Sequence, residues 1–132
     1  MVKQTSLLIL DDNSSFAESL SDVLARSGFA SRWTSRPAEA MKLAASVAPD
    51  VLLVDVNLGI VSGIEVAQQL CRLNRTMGVV FMTGSIDLDQ SQIPEDFRSR
   101  SVVLHKPVDK ETLVNAIASV SVKASESASS TD

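Results

Sequence analysis

Five apolar runs of strand length recur along the chain, and helical patterns fill the gaps between them. The runs are "LLIL" (7–10), the weaker and alternating "FASRW" (29–33), "VLLVDV" (51–56), "VVFM" (79–82) and "SVVL" (101–104). Near-continuous apolar strands are buried on both faces, which is the habit of a parallel sheet. Strands alternating with helices give a parallel sheet with helices on both sides, joined by right-handed crossovers. The common five-stranded, doubly wound α/β solution has strand order 2-1-3-4-5. That order is the expectation for this chain.

The intervening segments read as helices. "SSFAESLSDVLARSG" sets Phe16, Leu20, Val23 and Leu24 on one stripe, with its early serines available as caps and Gly28 as a stop. "RPAEAMKLAASV" carries Pro37 in its first turn, where a missing N–H matters little. "SGIEVAQQLCRL" groups Ile64, Ala67, Leu70 and Cys71, a thiol expected in or near the core. "DKETLVNAIASV" aligns Leu113, Ala116, Ile117 and Val120. The fourth helical segment is different. Pro94 interrupts "GSIDLDQSQIPEDFRSR", so helix 4 is expected to be short or irregular, with Pro94 opening a piece that contains Phe97. One domain is expected over 1–122. The small, polar, Ser-rich residues 123–132 have little to bury and are expected to form a disordered tail.

The ends of the apolar runs carry the chemistry. "LLIL" ends in Asp11 and Asp12, "VLLV" in Asp55, "VVFM" in Thr83, and "SVVLH" in Lys106. In open α/β sheets ligands bind outside the carboxyl ends of the strands, at the point where the strand order reverses. With order 2-1-3-4-5 that point lies between the first and third strands. Asp11, Asp12 and Asp55 therefore converge on one crevice, with Thr83 and Lys106 on its far rim. Adjacent like charges disfavour each other's ionised forms, and a bound cation offsets that repulsion. Carboxylates without soft ligands suit a hard ion, and Mg²⁺ takes one or two carboxylates while keeping its other positions for water or phosphate. Asp55 is then a nucleophile candidate for an aspartyl-phosphate. Mg²⁺, Lys106 and the Thr83 hydroxyl are left to serve the phosphoryl oxygens.

Four pieces, "LILDDN", "VLLVDVNLGIVSG", "FMTGS" and "LHKPVD", stand in this order between about Ser6 and Val120. In them the chain resembles the response-regulator receiver domains of two-component signalling, the CheY-like family with a flavodoxin-like fold. The resemblance implies that Asp55 is the phosphoacceptor and that Asp12 ligates Mg²⁺ directly. Asp11 acts on the metal through water, and Asn57 adds its backbone carbonyl. Thr83 becomes the switch hydroxyl and Lys106 the phosphoryl contact. Gly63 opens the third helix, and Pro107 stands where a cis bond is frequent in the family. It further implies a histidine kinase or phosphotransfer protein as donor and a downstream protein partner of unknown identity. Catalysis is confined to the chain's own phosphorylation and dephosphorylation, so it is not an enzyme on other substrates. Val103 departs from the family pattern: an aromatic usually stands three residues before the lysine. Gly84 is small and leaves the acceptor accessible. His105 is given a packing or surface role.

Composition excludes other classes. The net charge is −4, with no basic block to neutralise phosphates, so direct nucleic-acid binding is not expected. One cysteine forms no internal disulfide. No apolar run approaches the ~18 residues of a membrane span, and "MVKQTSLLIL" lacks the long apolar core of a signal peptide. A cytoplasmic protein without membrane attachment is expected. Oligomeric state is left open, a weak homodimer included. A non-phosphorylated binding scaffold is the main alternative. An aspartyl-nucleophile phosphatase fits less well, because its carboxylates usually stand as Asp-x-Asp. A flavin-binding relative fits least, because "DDNSS" sets negative charge against a cofactor phosphate.

Overall fold

The computed structural model describes residues 4–129, with side chains described over residues 4–121. Strands β1 (Ser6–Leu10), β2 (Ala30–Thr34) and β3 (Val51–Asp55) are joined by helices α1 (Ser14–Arg26) and α2 (Pro37–Val47). A two-stranded ribbon follows at once, β4 (Asn57–Leu58) paired antiparallel with β5 (Val61–Ser62). Helix α3 (Gly63–Leu73), β6 (Gly78–Thr83), α4 (Glu95–Arg98), β7 (Ser101–His105) and α5 (Lys110–Ser129) complete the order. The five long strands form one sheet in the order β2-β1-β3-β6-β7. Every pairing in it is parallel, with Leu7 opposite Val51 and Val54 opposite Phe81. Setting the ribbon aside, this is the expected 2-1-3-4-5 order of a doubly wound, flavodoxin-like sheet. Among the described residues no helix is long and apolar enough to cross a membrane.

Strand alternation divides the core in two. Leu8, Leu10, Leu52, Val54, Val79 and Phe81 face α2, α3 and α4. Leu7, Ile9, Leu53, Val80 and Met82 face α1 and α5. Each fully buried side chain of this size contributes about 1.5–3 kcal/mol relative to exposure, so both helical layers are pinned to the sheet.

Helix 4 is short, as the proline demands. Pro94 is the N-cap of the four-residue α4, and buried Phe97 packs on Phe81 with ring centroids 6.1 Å apart. A 3-10 turn at Gln90–Gln92 precedes it, capped by Asp89. The Gln90 side chain ties this turn to the Ser101 carbonyl at 2.8 Å.

Three expectations are corrected. The first helix buries Ala17, Ser21 and Leu24, while Phe16 and Val23 are exposed. Its apolar stripe is rotated toward small residues, and Ser21 is accommodated by a 2.8 Å hydrogen bond between its hydroxyl and that of Ser31. The cap of α1 is Asn13, whose side chain accepts from the Phe16 amide at 3.1 Å, rather than a serine. The helical backbone of α5 also runs on to Ser129. No glycine or proline interrupts residues 110–129, so nothing local ends the helix at 122. The last three tail residues, 130–132, lie outside the described residues.

Two glycines permit close approaches that any side chain blocks. A Cβ on Gly78 would lie 2.8 Å from Val120 Cγ2, so α5 seats directly on the start of β6. A Cβ on Gly63 would lie 2.1 Å from the Asp55 carbonyl oxygen, so α3 starts hard against the end of β3.

Candidate functional site

The carboxyl edge of the sheet gathers the charged groups. Asp11 leaves β1 and is buried, Asp12 beside it is exposed, and Asp55 ends β3 at 8% exposure. One carboxylate oxygen from each of the three lies within 4.8 Å of the others. Lys106, just past β7, reaches in from the other side. Its Nζ stands 2.9 Å from Asp55 Oδ2 and 3.4 Å from Asp11 Oδ2. The crevice is a cavity of about 660 Å³ whose lining includes Asp11, Asp12, Phe16, Asp55, Lys106 and Pro107.

Local backbone geometry aims these groups. Asp11 Oδ1 accepts the Asn13 amide at 2.9 Å, and Asp55 Oδ1 accepts the Asn57 amide at 2.9 Å. Both are Asx turns, in which a short side chain bonds to its own backbone two residues on. Each turn occupies one oxygen and leaves the other facing Lys106. Thr83 repeats the device: its hydroxyl accepts the Ser85 amide at 3.0 Å. The Thr83 carbonyl accepts the Lys106 amide at 2.7 Å, which fixes the lysine to the end of β6.

The structure therefore brings Asp11, Asp12, Asp55 and Lys106 together. Thr83 is buried at the same edge but does not line the crevice. Asn57 is exposed, and its side-chain oxygen accepts the Gly59 amide at 3.2 Å. Pro107 lines the crevice, and the Lys106–Pro107 bond is cis. Val103 pairs with Phe81 on the sheet and is half-buried against the α2–α3 core. A Cβ on Gly84 meets nothing within 4 Å. His105 is exposed, with Nε2 3.0 Å from the Leu88 carbonyl. Phe16 was missed as a site residue: Lys106 Nζ sits 4.9 Å from its ring centroid, a cation–π contact. Its position four residues after Asp12, one turn into α1, is the signal that could have found it.

Electrostatics here are strained. Burial pushes the Asp11 carboxyl above its ordinary range and the Asp55 charge adds to this, against the Asn13 amide and the Lys106 charge, which pull it down. For Lys106, burial pulls down most strongly, but the Asp55 hydrogen bond and the two carboxylate charges together outweigh it and hold the ammonium above its ordinary value. Three carboxylates and one ammonium leave net negative charge. All the free ligand atoms are hard oxygens, a donor set that fits a divalent cation.

Because the native Asp11 carboxyl holds its proton more tightly than the unfolded one, its contribution to stability is full below its ordinary value and is lost as pH rises through the raised native value. Asp11→Asn escapes that loss. Without divalent cation it is expected to exceed the wild type in stability by about 1 kcal/mol at neutral pH. The gain shrinks in acid, and urea unfolding across pH 3–7 measures it.

Residues 7–118 match the family described as the response regulator receiver domain. Over 82 residues the chain is 29% identical to the transcriptional regulatory protein CreB of Escherichia coli (strain K12), covering 62% of this chain. The match spans only 36% of that relative's length. A response regulator protein from Burkholderia pseudomallei, solved with a phosphorylated aspartic acid, a calcium ion and citrate, superposes with TM-score 0.78 at 28% identity. That match covers 94% of this chain and 72% of that one. A CheY-like receiver domain from Methanospirillum hungatei JF-1 superposes with TM-score 0.82 over 95% and 99% of the two chains, at 19% identity, a likeness of fold. Sheet order, crevice and family match agree, and the chain belongs to the response regulator receiver domain family.

Proposed function

We propose that this chain is a phosphoacceptor of a two-component phosphorelay, with Asp55 taking the phosphoryl group from a histidine kinase or phosphotransfer protein in the cytoplasm. The observation that carries this reading is the Asp55 carboxylate, 2.9 Å from Lys106 Nζ and within 4.8 Å of two further acids. An Asp55 oxygen attacks the phosphorus of a phosphohistidine and forms the new P–O bond. The P–N bond breaks, and the imidazole nitrogen leaves with its electron pair. Little covalent help is needed beyond positioning and charge neutralisation. Lys106 already lies between Asp11 and Asp55 and takes one phosphoryl oxygen. Asp12 and Asp55, with the Asn57 carbonyl and with Asp11 acting through water, would hold Mg²⁺, which would neutralise the others.

Thr83 supplies the switch in this reading. Its hydroxyl lets go of the Ser85 amide and turns to the phosphoryl group, and the faces of α4, β7 and α5 repack in a population shift. Output passes to a downstream protein through that surface. Val103 offers no aromatic to swing, so the repacking uses aliphatic side chains. The chain catalyses only the gain and loss of its own phosphoryl group.

The test is intact-protein mass after incubation with acetyl phosphate, with and without Mg²⁺, beside Asp55→Asn. The expected result is a Mg²⁺-dependent gain of one phosphoryl mass that the variant lacks. No adduct, under conditions that label a control receiver, overturns the reading in favour of a non-phosphorylated binding scaffold.

A further inference from the structure

The amino edge of the sheet, opposite the acidic crevice, holds a second polar pocket. Its volume is about 180 Å³, and Cys71, Arg72, Arg75, Asp96 and Arg100 line it. Arg72 is the penultimate residue of α3, and Arg75 follows that helix. Arg100 immediately precedes β7 and is only 9% exposed. Its Nε donates to the Met77 carbonyl at 3.0 Å. Among the described residues, no carboxylate forms an ion pair with Arg100, Arg72 or Arg75. Burying a guanidinium without a counter-charge is expensive, and buried charges are as a rule paired. The single acid in the pocket, Asp96, instead accepts from Gln68 Nε2 at 3.4 Å. Cys71 forms a neutral wall, because burial pushes its thiol up to about 11. The pocket is thus net positive by two in a protein whose total charge is −4.

We propose that this pocket binds a small phosphate-bearing anion, with Arg100 as the buried fork and Arg72 and Arg75 closing over it. Guanidinium forks match phosphate oxygens two at a time, and the anion supplies the counter-charge that Arg100 lacks. The volume lies below that of pockets for drug-sized ligands, so the ligand is an inorganic phosphate or the phosphate head of a small monoester. Asp96 acts against binding and sets its affinity.

The test is a titration of the full chain with inorganic phosphate and, separately, glycerol phosphate. Ionic strength is held constant with chloride, and divalent cation is left out. The Arg100 Nε–H resonance reports occupancy at this pocket and not at Lys106. A saturable shift is expected, and the tighter of the two arms identifies the free anion or the monoester. Arg72→Gln and Arg75→Gln, both exposed and safe for folding, are each expected to weaken binding about fivefold. Asp96→Asn is expected to tighten it by a similar factor. No saturable shift up to ~10 mM of either anion overturns the proposal. A shift indifferent to all three substitutions overturns it as well, since it marks nonspecific charge screening. Arg100→Met, if it folds, is expected to abolish binding, and retained binding there sinks the assignment.

Discussion

Gly63→Ala loses at least about 3 kcal/mol of stability and displaces Asp55. Overpacking typically costs about 1–3 kcal/mol when flexible side chains can yield. Here the obstacles are backbone: the new methyl meets the Asp55 carbonyl oxygen at 2.1 Å, the Asp55 carbonyl carbon at 2.9 Å and Val56 Cα at 2.9 Å. Relief requires α3 to withdraw, which breaks the 2.7 Å hydrogen bond from the Gly63 amide to the Val56 carbonyl. It also strips Val66, Ala67 and Leu70 from the core. Urea unfolding followed by Trp33, the chain's one tryptophan, measures the loss. Gly84→Ala is the control, since its Cβ meets nothing within 4 Å and it is expected to stay within ~0.5 kcal/mol of wild type. A Gly63→Ala protein as stable as that control would mean that α3 does not abut β3 as described.

The second large effect is kinetic. Lys106→Met is expected to slow phosphoryl transfer onto Asp55 by about 10²–10³-fold, the usual consequence of removing one preorganised charge donor. Single-turnover labelling with acetyl phosphate at saturating Mg²⁺ reads it directly. The same variant separates two roles of the lysine. Without divalent cation it leaves Asp11 and Asp55 facing each other with no ammonium between them. Lys106 is about one-third exposed, so the expected loss of stability is modest, about 1 kcal/mol at neutral pH. That deficit closes as pH falls and Asp11, whose carboxyl pKa burial already raises, takes up its proton. A labelling rate within a factor of ~3 of wild type would remove Lys106 from the reaction and leave it a purely structural counter-ion.

Much of this site could be read from residue order. Asp11, Asp12, Asp55 and Lys106 each end or follow an apolar run, and the alternation of strand and helix sets which ends become neighbours. Helix 4 was legible because a proline is a local, unconditional break. The ribbon at Asn57–Ser62 was not, because two-residue strands are too short to show a period. Periodicity assigns Phe16 to the apolar stripe of α1. Its ring instead joins the crevice, because the lysine that draws it there stands ninety positions away in the chain. Gly78 gave no signal either, since its reason for being glycine is Val120, on a different element. Long-range approaches of this kind leave no periodic trace.

The three amide-held turns, at Asp11, Asp55 and Thr83, have a consequence for substitution. In each, the turn's hydrogen bond comes from the backbone N–H of the residue two positions on. Positions 13, 57 and 85 therefore accept any residue that keeps that donor, and proline alone is barred on this ground. Positions 13 and 57 each bear a second duty, since Asn13 also caps α1 and the Asn57 side-chain oxygen accepts the Gly59 amide. At 85 the side chain is exposed and free to vary at the edge of the site. Substitution there changes the exposed surface beside Thr83 while the turn geometry stays the same.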